Sequence, residues 1–127
     1  MGRGIIFSMA YFFDSYAIIE IVKGNQNYQR FQAEGFITNT LNLAEVYYSI
    51  LRETNEKTAD YIIKSLNLSF VDIKQDTAIK AALFKYRTNK KMSYADCIGY
   101  ISASKNNLIF LTGDKLFENL NNVEFVK

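Results

Sequence analysis

Two short runs of this chain are apolar at every position: Tyr-Phe-Phe at 11–13 and Leu-Ile-Phe-Leu at 108–111. Successive side chains of a strand point to opposite faces of its sheet, so a strand with no polar position has to be covered on both. Between and beyond these runs lie helix-length stretches that alternate with other short apolar runs. Ala10–Phe13, Phe36–Thr38, Phe70–Ile73, Leu108–Leu111 and Val123–Val126 read as strands. Ser15–Lys23 reads as a helix stopping near Gly24, and Tyr28–Ala33 as a short second one. Helix is also expected from about Leu41 to Glu53, continuing over Thr58–Leu66, then over Thr77–Arg87, Tyr94–Lys105 and briefly Lys115–Leu120. Strands alternating with helices predict an α/β fold, a mostly parallel sheet with helices on both faces.

That fold class places a site. Open parallel sheets bind ligands beyond the carboxyl ends of their strands. Asp14 directly follows the first strand, and Asp114 follows Leu-Ile-Phe-Leu after two further residues, so both acids belong to one edge of the sheet. Glu45, in Leu-Ala-Glu-Val, and Asp96, in Tyr-Ala-Asp-Cys, lie on helices that can pack there. A carboxylate beside buried surface is costly without compensation, and a hard divalent cation prefers such oxygen ligands.

Each acid also has a structural reading. Asp14 precedes a helix and reads equally as its N-cap. Glu45 shares a helical row with Leu41 and Tyr48, both apolar, while Leu43, Tyr47, Ile50 and Leu51 can face the core; a glutamate inside an apolar row favours function. Ser93 and Asp96 fit a capping box. Asp114, in Thr-Gly-Asp, fits an ordinary turn. The conjunction of the four, more than any one, argues for a shared cation.

Composition narrows the chemistry. The chain has no histidine, which removes Ser-His and Cys-His nucleophiles and histidine-based ribonuclease or zinc hydrolase sites. Its one cysteine, Cys97, excludes an internal disulfide and reads as a small buried hydrophobe. The 127 residues suit one domain, over 9–127, with residues 1–8 an extension or vector remnant, since Met9 serves equally well as a start. No signal peptide or membrane span is read, so a cytoplasmic protein with no membrane partner is expected. Net charge is only +2, but Lys85, Arg87, Lys90 and Lys91 cluster shortly before Asp96, with Tyr86 and Tyr94 nearby as stacking faces. As a group they are candidate phosphate contacts for RNA; individually they read as a solvated helix end.

Around the four acids the chain resembles the PIN-domain ribonucleases, in particular the small toxins of the VapC type. Tyr-Phe-Phe-Asp-Ser resembles the first strand ending in Asp followed by Ser or Thr. The segment 41–50 resembles the helix bearing the family's glutamate, and 93–103 the Ala-Asp helix of small and apolar residues. Phe-Leu-Thr-Gly-Asp-Lys-Leu-Phe at 110–117 resembles the final Thr-x-Asp-x-x-Phe. The resemblance runs from about Ala10 to Val126. It implies a compact three-layer α/β/α sandwich with Asp14, Glu45, Asp96 and Asp114 as the catalytic, metal-binding cluster, supported by Ser15 and Thr112. It also implies a frequent homodimer and a cognate antitoxin that blocks the site. Leu116 departs from members that carry a further acid there, which puts a second metal site in doubt.

The expected function is therefore a toxin-type endoribonuclease that uses Mg²⁺ or Mn²⁺ to activate water for RNA phosphodiester hydrolysis. The alternatives are a non-catalytic RNA- or protein-binding module of the same fold and, lower, a phosphatase of the haloacid-dehalogenase type. That phosphatase chemistry wants a second Asp two places after the first, where this chain has Tyr16.

Overall fold

The computed structural model describes residues 10–32, 35–88 and 91–127. The expected extension over 1–8, Ala33 and Lys90 lie outside the described residues. In chain order the elements are β1 (Tyr11–Phe13), α1 (Ser15–Val22), a 3-10 turn (Gln26–Phe31), β2 (Phe36–Thr38), α2 (Thr40–Glu53), α3 (Glu56–Ser65), β3 (Leu68–Phe70), α4 (Gln75–Thr88), α5 (Tyr94–Lys105), β4 (Ile109–Thr112), a second 3-10 turn (Lys115–Phe117) and β5 (Val123–Phe125).

The five strands form one sheet in the order β3-β2-β1-β4-β5, and every pairing is parallel. The two-residue alternation of the pleat splits the core into two layers. Phe13 and Leu111 face Ala17, Ile18, Val46, Ile50 and Ala59 of α1, α2 and α3. Their neighbours Phe12 and Phe110 face Ala81, Cys97 and Ala103 of α4 and α5. This is the expected α/β/α sandwich, and Cys97 is a small buried core residue, as expected.

Local chemistry sets the boundaries. Gly24, at φ +82°, ends the turn after α1 in a conformation that glycine adopts without strain. Asn39, Asn55 and Ser93 cap α2, α3 and α5 with side chains that accept N–H bonds from Asn42, Thr58 and Asp96. Asn67, Asn107 and Asn122 take left-handed conformations, at φ 55°, 56° and 62°, just ahead of β3, β4 and β5. Asparagine tolerates this region better than other side-chain-bearing residues.

Two expectations need correction. The third strand is Leu68–Phe70, not 70–73, because its ladder starts straight after the Asn67 turn and ends where β2 ends, at Thr38. One further bond, from the Val71 N–H to the Thr38 carbonyl at 2.9 Å, closes it. The helix over 41–53 does not continue into the next, because Thr54 (φ −132°, ψ −108°) leaves helical geometry and Asn55 caps a new start. The short helices expected near 28–33 and 115–120 are present as 3-10 helices with other bounds, Gln26–Phe31 and Lys115–Phe117. No helix among the described residues is long and apolar enough to cross a membrane.

Candidate active site

The strand order reverses at β1: the chain fills β2 and β3 on one side, then returns to β4 and β5 on the other. In parallel sheets the crevice outside such a reversal is where ligands bind. Asp14 leaves β1 at this point, its N–H bonded to the Leu111 carbonyl at 3.1 Å, and Thr112 is the last residue of neighbouring β4.

Asp14 occupies the N-cap position of α1 but makes no side-chain cap bond. Its carboxylate turns toward β4, where Oδ2 accepts the Thr112 hydroxyl at 2.7 Å. The residue is only 5% exposed. Burial, the largest influence, pushes its pKa up to about 7; the Asp96 and Glu45 charges push the same way, while the Thr112 hydroxyl and the Ser15 backbone N–H pull it down. Of the two readings of Asp14, the capping one is not realised. Ser15, expected as a supporting polar group, acts on Asp14 through its backbone N–H.

Asp96 realises its capping role and also faces Asp14 electrostatically. It completes a capping box with Ser93, each backbone N–H bonding the other's side chain at 3.0 Å, and its charge acts on Asp14. Glu45 reaches the same field from α2. The approach of the two helices comes from small and polar contacts: a methyl group placed on Gly99 of α5 would lie 3.4 Å from the Phe110 ring, 3.7 Å from the Phe12 ring and 3.8 Å from Asn42 Nδ2 of α2. Asp96 lies one turn before Gly99 and Glu45 one turn after Asn42, so this crossing carries both acids to the carboxyl edge.

Glu45 corrects the sequence reading in one respect. Its apolar row is not buried: Leu41 is 36% and Tyr48 62% exposed, and Glu45 itself is exposed. The stripe that α2 buries is Asn42, Val46 and Ile50. The case for Glu45 therefore rests on its action on Asp14 and not on a costly environment. Among the four acids only Asp14 is buried; Asp96 and Asp114 are half-buried.

Asp114 stands apart. Its Oδ1 accepts the Leu116 N–H at 3.0 Å, capping the second 3-10 turn, and its own N–H donates to Thr112 Oγ1 at 3.1 Å. Thr112 thus joins Asp14 and Asp114, through the side chain of one and the backbone of the other. The structure brings Asp14, Glu45 and Asp96 into one electrostatic group, while Asp114 is tied in through Thr112. Among the described residues no three His, Cys, Asp or Glu side chains are close enough to hold a metal ion between them. The donor set nevertheless suits a hard divalent ion: all oxygen, one carboxylate buried with its charge disfavoured, and none of the four in an ion pair among the described residues.

A polar cluster that sequence reasoning missed lies under the site. Thr38 Oγ1 donates to the Phe13 carbonyl at 2.8 Å, and Asn42 Nδ2 donates to Thr38 Oγ1 at 3.1 Å and to the same carbonyl at 3.5 Å. All three of Thr38, Asn39 and Asn42 are buried, and Asn39 Nδ2 has no hydrogen-bond partner among the described residues. Asn39 ahead of an apolar helical run carried a cap signal; nothing in the sequence signalled that Asn42 would be buried.

Of the candidate RNA contacts, Lys85 is engaged within the protein: its ammonium donates to the Met92 carbonyl and lies 5.3 Å from the Tyr94 ring centroid. Arg87 and Lys91 are exposed, as are Tyr86 and Tyr94.

With this geometry in view, the family model for the PIN domain matches residues 11–123. The chain belongs to the PIN domain family. Solved structures similar to this PIN domain include a toxin–antitoxin complex from Klebsiella pneumoniae, at 18% identity and TM-score 0.70, covering 91% of this chain and 96% of that one. VapC20 of Mycobacterium tuberculosis, a sarcin-ricin loop cleaving toxin, gives 15% and 0.74, covering 93% and 100%. VapBC2 of Rickettsia felis, bound to a promoter DNA fragment, gives 14% and 0.72, covering 94% and 100%. At these identities the likeness is one of fold. No curated protein sequence matches the chain.

Proposed function

We propose that this PIN domain is a toxin-type endoribonuclease dependent on Mg²⁺ or Mn²⁺, with Asp14, Glu45, Asp96 and Asp114 as its catalytic and metal-holding acids. One observation carries the reading: the Asp14 carboxylate lies at the reversal point of the sheet, where burial first, and the Asp96 and Glu45 charges second, push its pKa up to about 7, and it has no cationic partner among the described residues. Such an arrangement disfavours its own charge, and a divalent cation relieves it. Membership of the PIN family, and VapC20 among its structural relatives, agree with this activity.

In this reading Asp14, Asp96 and Glu45 hold the ion directly or through water. Bound there, a divalent ion supplies a more acidic water and neutralises charge on the phosphate. Thr112 keeps Asp14 oriented and favours its charged form. Asp114, fixed beside it, orients the attacking water or completes the ligand set. The nucleophile in this reading is water, which the absence of histidine fits.

A protein inhibitor of antitoxin type fits the rim of the same site. Leu41 and Tyr48 flank Glu45 on the exposed row of α2, giving the acidic edge an apolar border. Two of the related structures above are a toxin–antitoxin complex and a VapBC assembly.

Calorimetric titration with Mn²⁺ tests the metal centre without relying on turnover. The native chain is expected to bind, Asp14→Asn, Asp96→Asn and Glu45→Gln to lose most of the affinity, and Asp114→Asn to lose less. A native chain that takes up no Mn²⁺ would leave the binding-module alternative standing.

A further inference from the structure

Four acids at one edge of a sheet repel the polyanion that the proposed function brings there, so a cation has to meet the strand beside the site. Lys85, one of the candidates ahead of Asp96, is committed to Met92 and Tyr94. A different lysine is held at the acidic edge.

Parallel β5 ends beside β4, with Phe125 opposite Thr112 and the Val126 N–H bonded to the Thr112 carbonyl at 2.9 Å. Lys127 therefore emerges at the same carboxyl edge as Asp14 and Asp114. Its backbone is pinned there: Tyr28 Oη donates to the Val126 carbonyl at 2.5 Å, and Asn27 Nδ2 to the Lys127 carbonyl at 3.0 Å. Its side chain is pinned as well. The ammonium donates to Tyr16 Oη at 3.4 Å and lies 5.3 Å from the centroid of that ring.

Tyr16 is two residues beyond Asp14, and its ring rests on Gly113, the residue between Thr112 and Asp114. A methyl group on Gly113 would lie only 2.4 Å from Tyr16 Cε1 and 2.3 Å from the Val126 carbonyl oxygen. The absence of a side chain at 113 is what lets the ring, and with it the lysine, close onto the site loop. Lys127 is exposed and pairs with no acid among the described residues.

We infer that Lys127 is a phosphate contact for the RNA strand entering the acidic site, held in place by Tyr16. The inference rests on the ribonuclease reading above. It adds a cationic position on the β5 side of the site, away from the 85–91 segment. An ammonium on a flexible stem acts as a point charge, so its contribution is mainly electrostatic and independent of base identity.

The test uses the full chain carrying Asp96→Asn to prevent cleavage. Binding of a fluorescent single-stranded RNA is followed by anisotropy across roughly 50 to 200 mM salt. Removing one phosphate contact is expected to lower the slope of log K against log salt by ~0.7 and to weaken binding about fivefold near 0.1 M salt. Lys127→Gln is expected to show that loss. Lys23→Gln, an exposed lysine paired with Glu20 beyond the far end of α1, is expected to leave the slope unchanged. An unchanged slope in Lys127→Gln, with the parent binding RNA, overturns the assignment while leaving the ribonuclease reading intact. A parent that binds no RNA at any salt overturns both.

Discussion

The Thr112 hydroxyl donates to the Asp14 carboxylate at 2.7 Å across the boundary between β4 and β1, where the strand order reverses. Residues 98 positions apart are joined at the reversal point, beyond which open parallel sheets bind their ligands. The same hydroxyl accepts the Asp114 N–H, so a single threonine orients two of the four site acids.

Replacing Thr112 by valine keeps the shape and removes the bond. The bond favours the charged form of Asp14, so its loss is expected to raise the Asp14 pKa further and to cost about 1–3 kcal/mol for the partners left unsatisfied. Carboxyl carbon shifts followed by NMR against pH read the first effect, and urea unfolding reads the second. An Asp14 pKa that stays put or falls would contradict the role given to Thr112.

Stability should depend on pH in a way set by Asp14. Its pKa is about 7 in the fold against 3.8 as the ordinary value. The folded state therefore binds the proton more tightly than the unfolded chain does. The stabilisation is fully present below about 3.8 and is lost as pH rises to about 7, at ~1.4 kcal/mol per pH unit. With chelator present, urea melts from acid to neutral pH should show this decline, and Asp14→Asn should flatten it. A native chain that gains stability over the same range would rule out a buried, uncompensated Asp14.

The two roles of Asp96 can be separated. Ser93→Ala removes one arm of the capping box and should cost about 1 kcal/mol while leaving Mn²⁺ binding in place. Asp96→Asn retains a cap acceptor but loses the charge, so it should melt close to the native chain and fail to bind Mn²⁺. Loss of metal binding in Ser93→Ala at full stability would mean that the cap positions the acid, contrary to this account.

Gly113→Ala should be among the more damaging single-methyl changes. The added carbon meets the Val126 carbonyl and the Tyr16 ring at distances real contacts do not reach, and the carbonyl can yield only by disturbing the β4–β5 edge. Overpacking of this kind costs about 1–3 kcal/mol. A thermal midpoint unchanged from the native chain would show that the edge gives way freely.

Much of this was legible in the sequence because its signals are local. The all-apolar runs at 11–13 and 108–111 called for a sheet covered on both faces, and the structure covers it with α1–α3 on one side and α4–α5 on the other. Helix α5 and strand β2 have the expected boundaries, and at α5 the reason is the Ser93 capping box. What periodicity could not supply was which helical row meets the protein. The apolar row of Leu41 and Tyr48 singles out Glu45 in the sequence, yet both face solvent, because the buried stripe of α2 runs through Asn42. A polar residue taking a core position is decided by its partners, Thr38 and the Phe13 carbonyl, which are remote in sequence or ambiguous in type. The left-handed asparagines at 67 and 107 likewise precede strands whose starts differ from the expected ones, by amounts that composition does not encode.

The central claim is that the four acids run metal-dependent hydrolysis of RNA. Its most direct test is incubation of purified native protein and Asp96→Asn with a mixture of structured RNAs, in Mg²⁺ or Mn²⁺ and in chelator. The account predicts cutting by the native chain only with metal and none by the folded variant. A native protein that is folded, free of inhibitor and unable to cut in either metal, or one that cuts equally well in chelator, would contradict it.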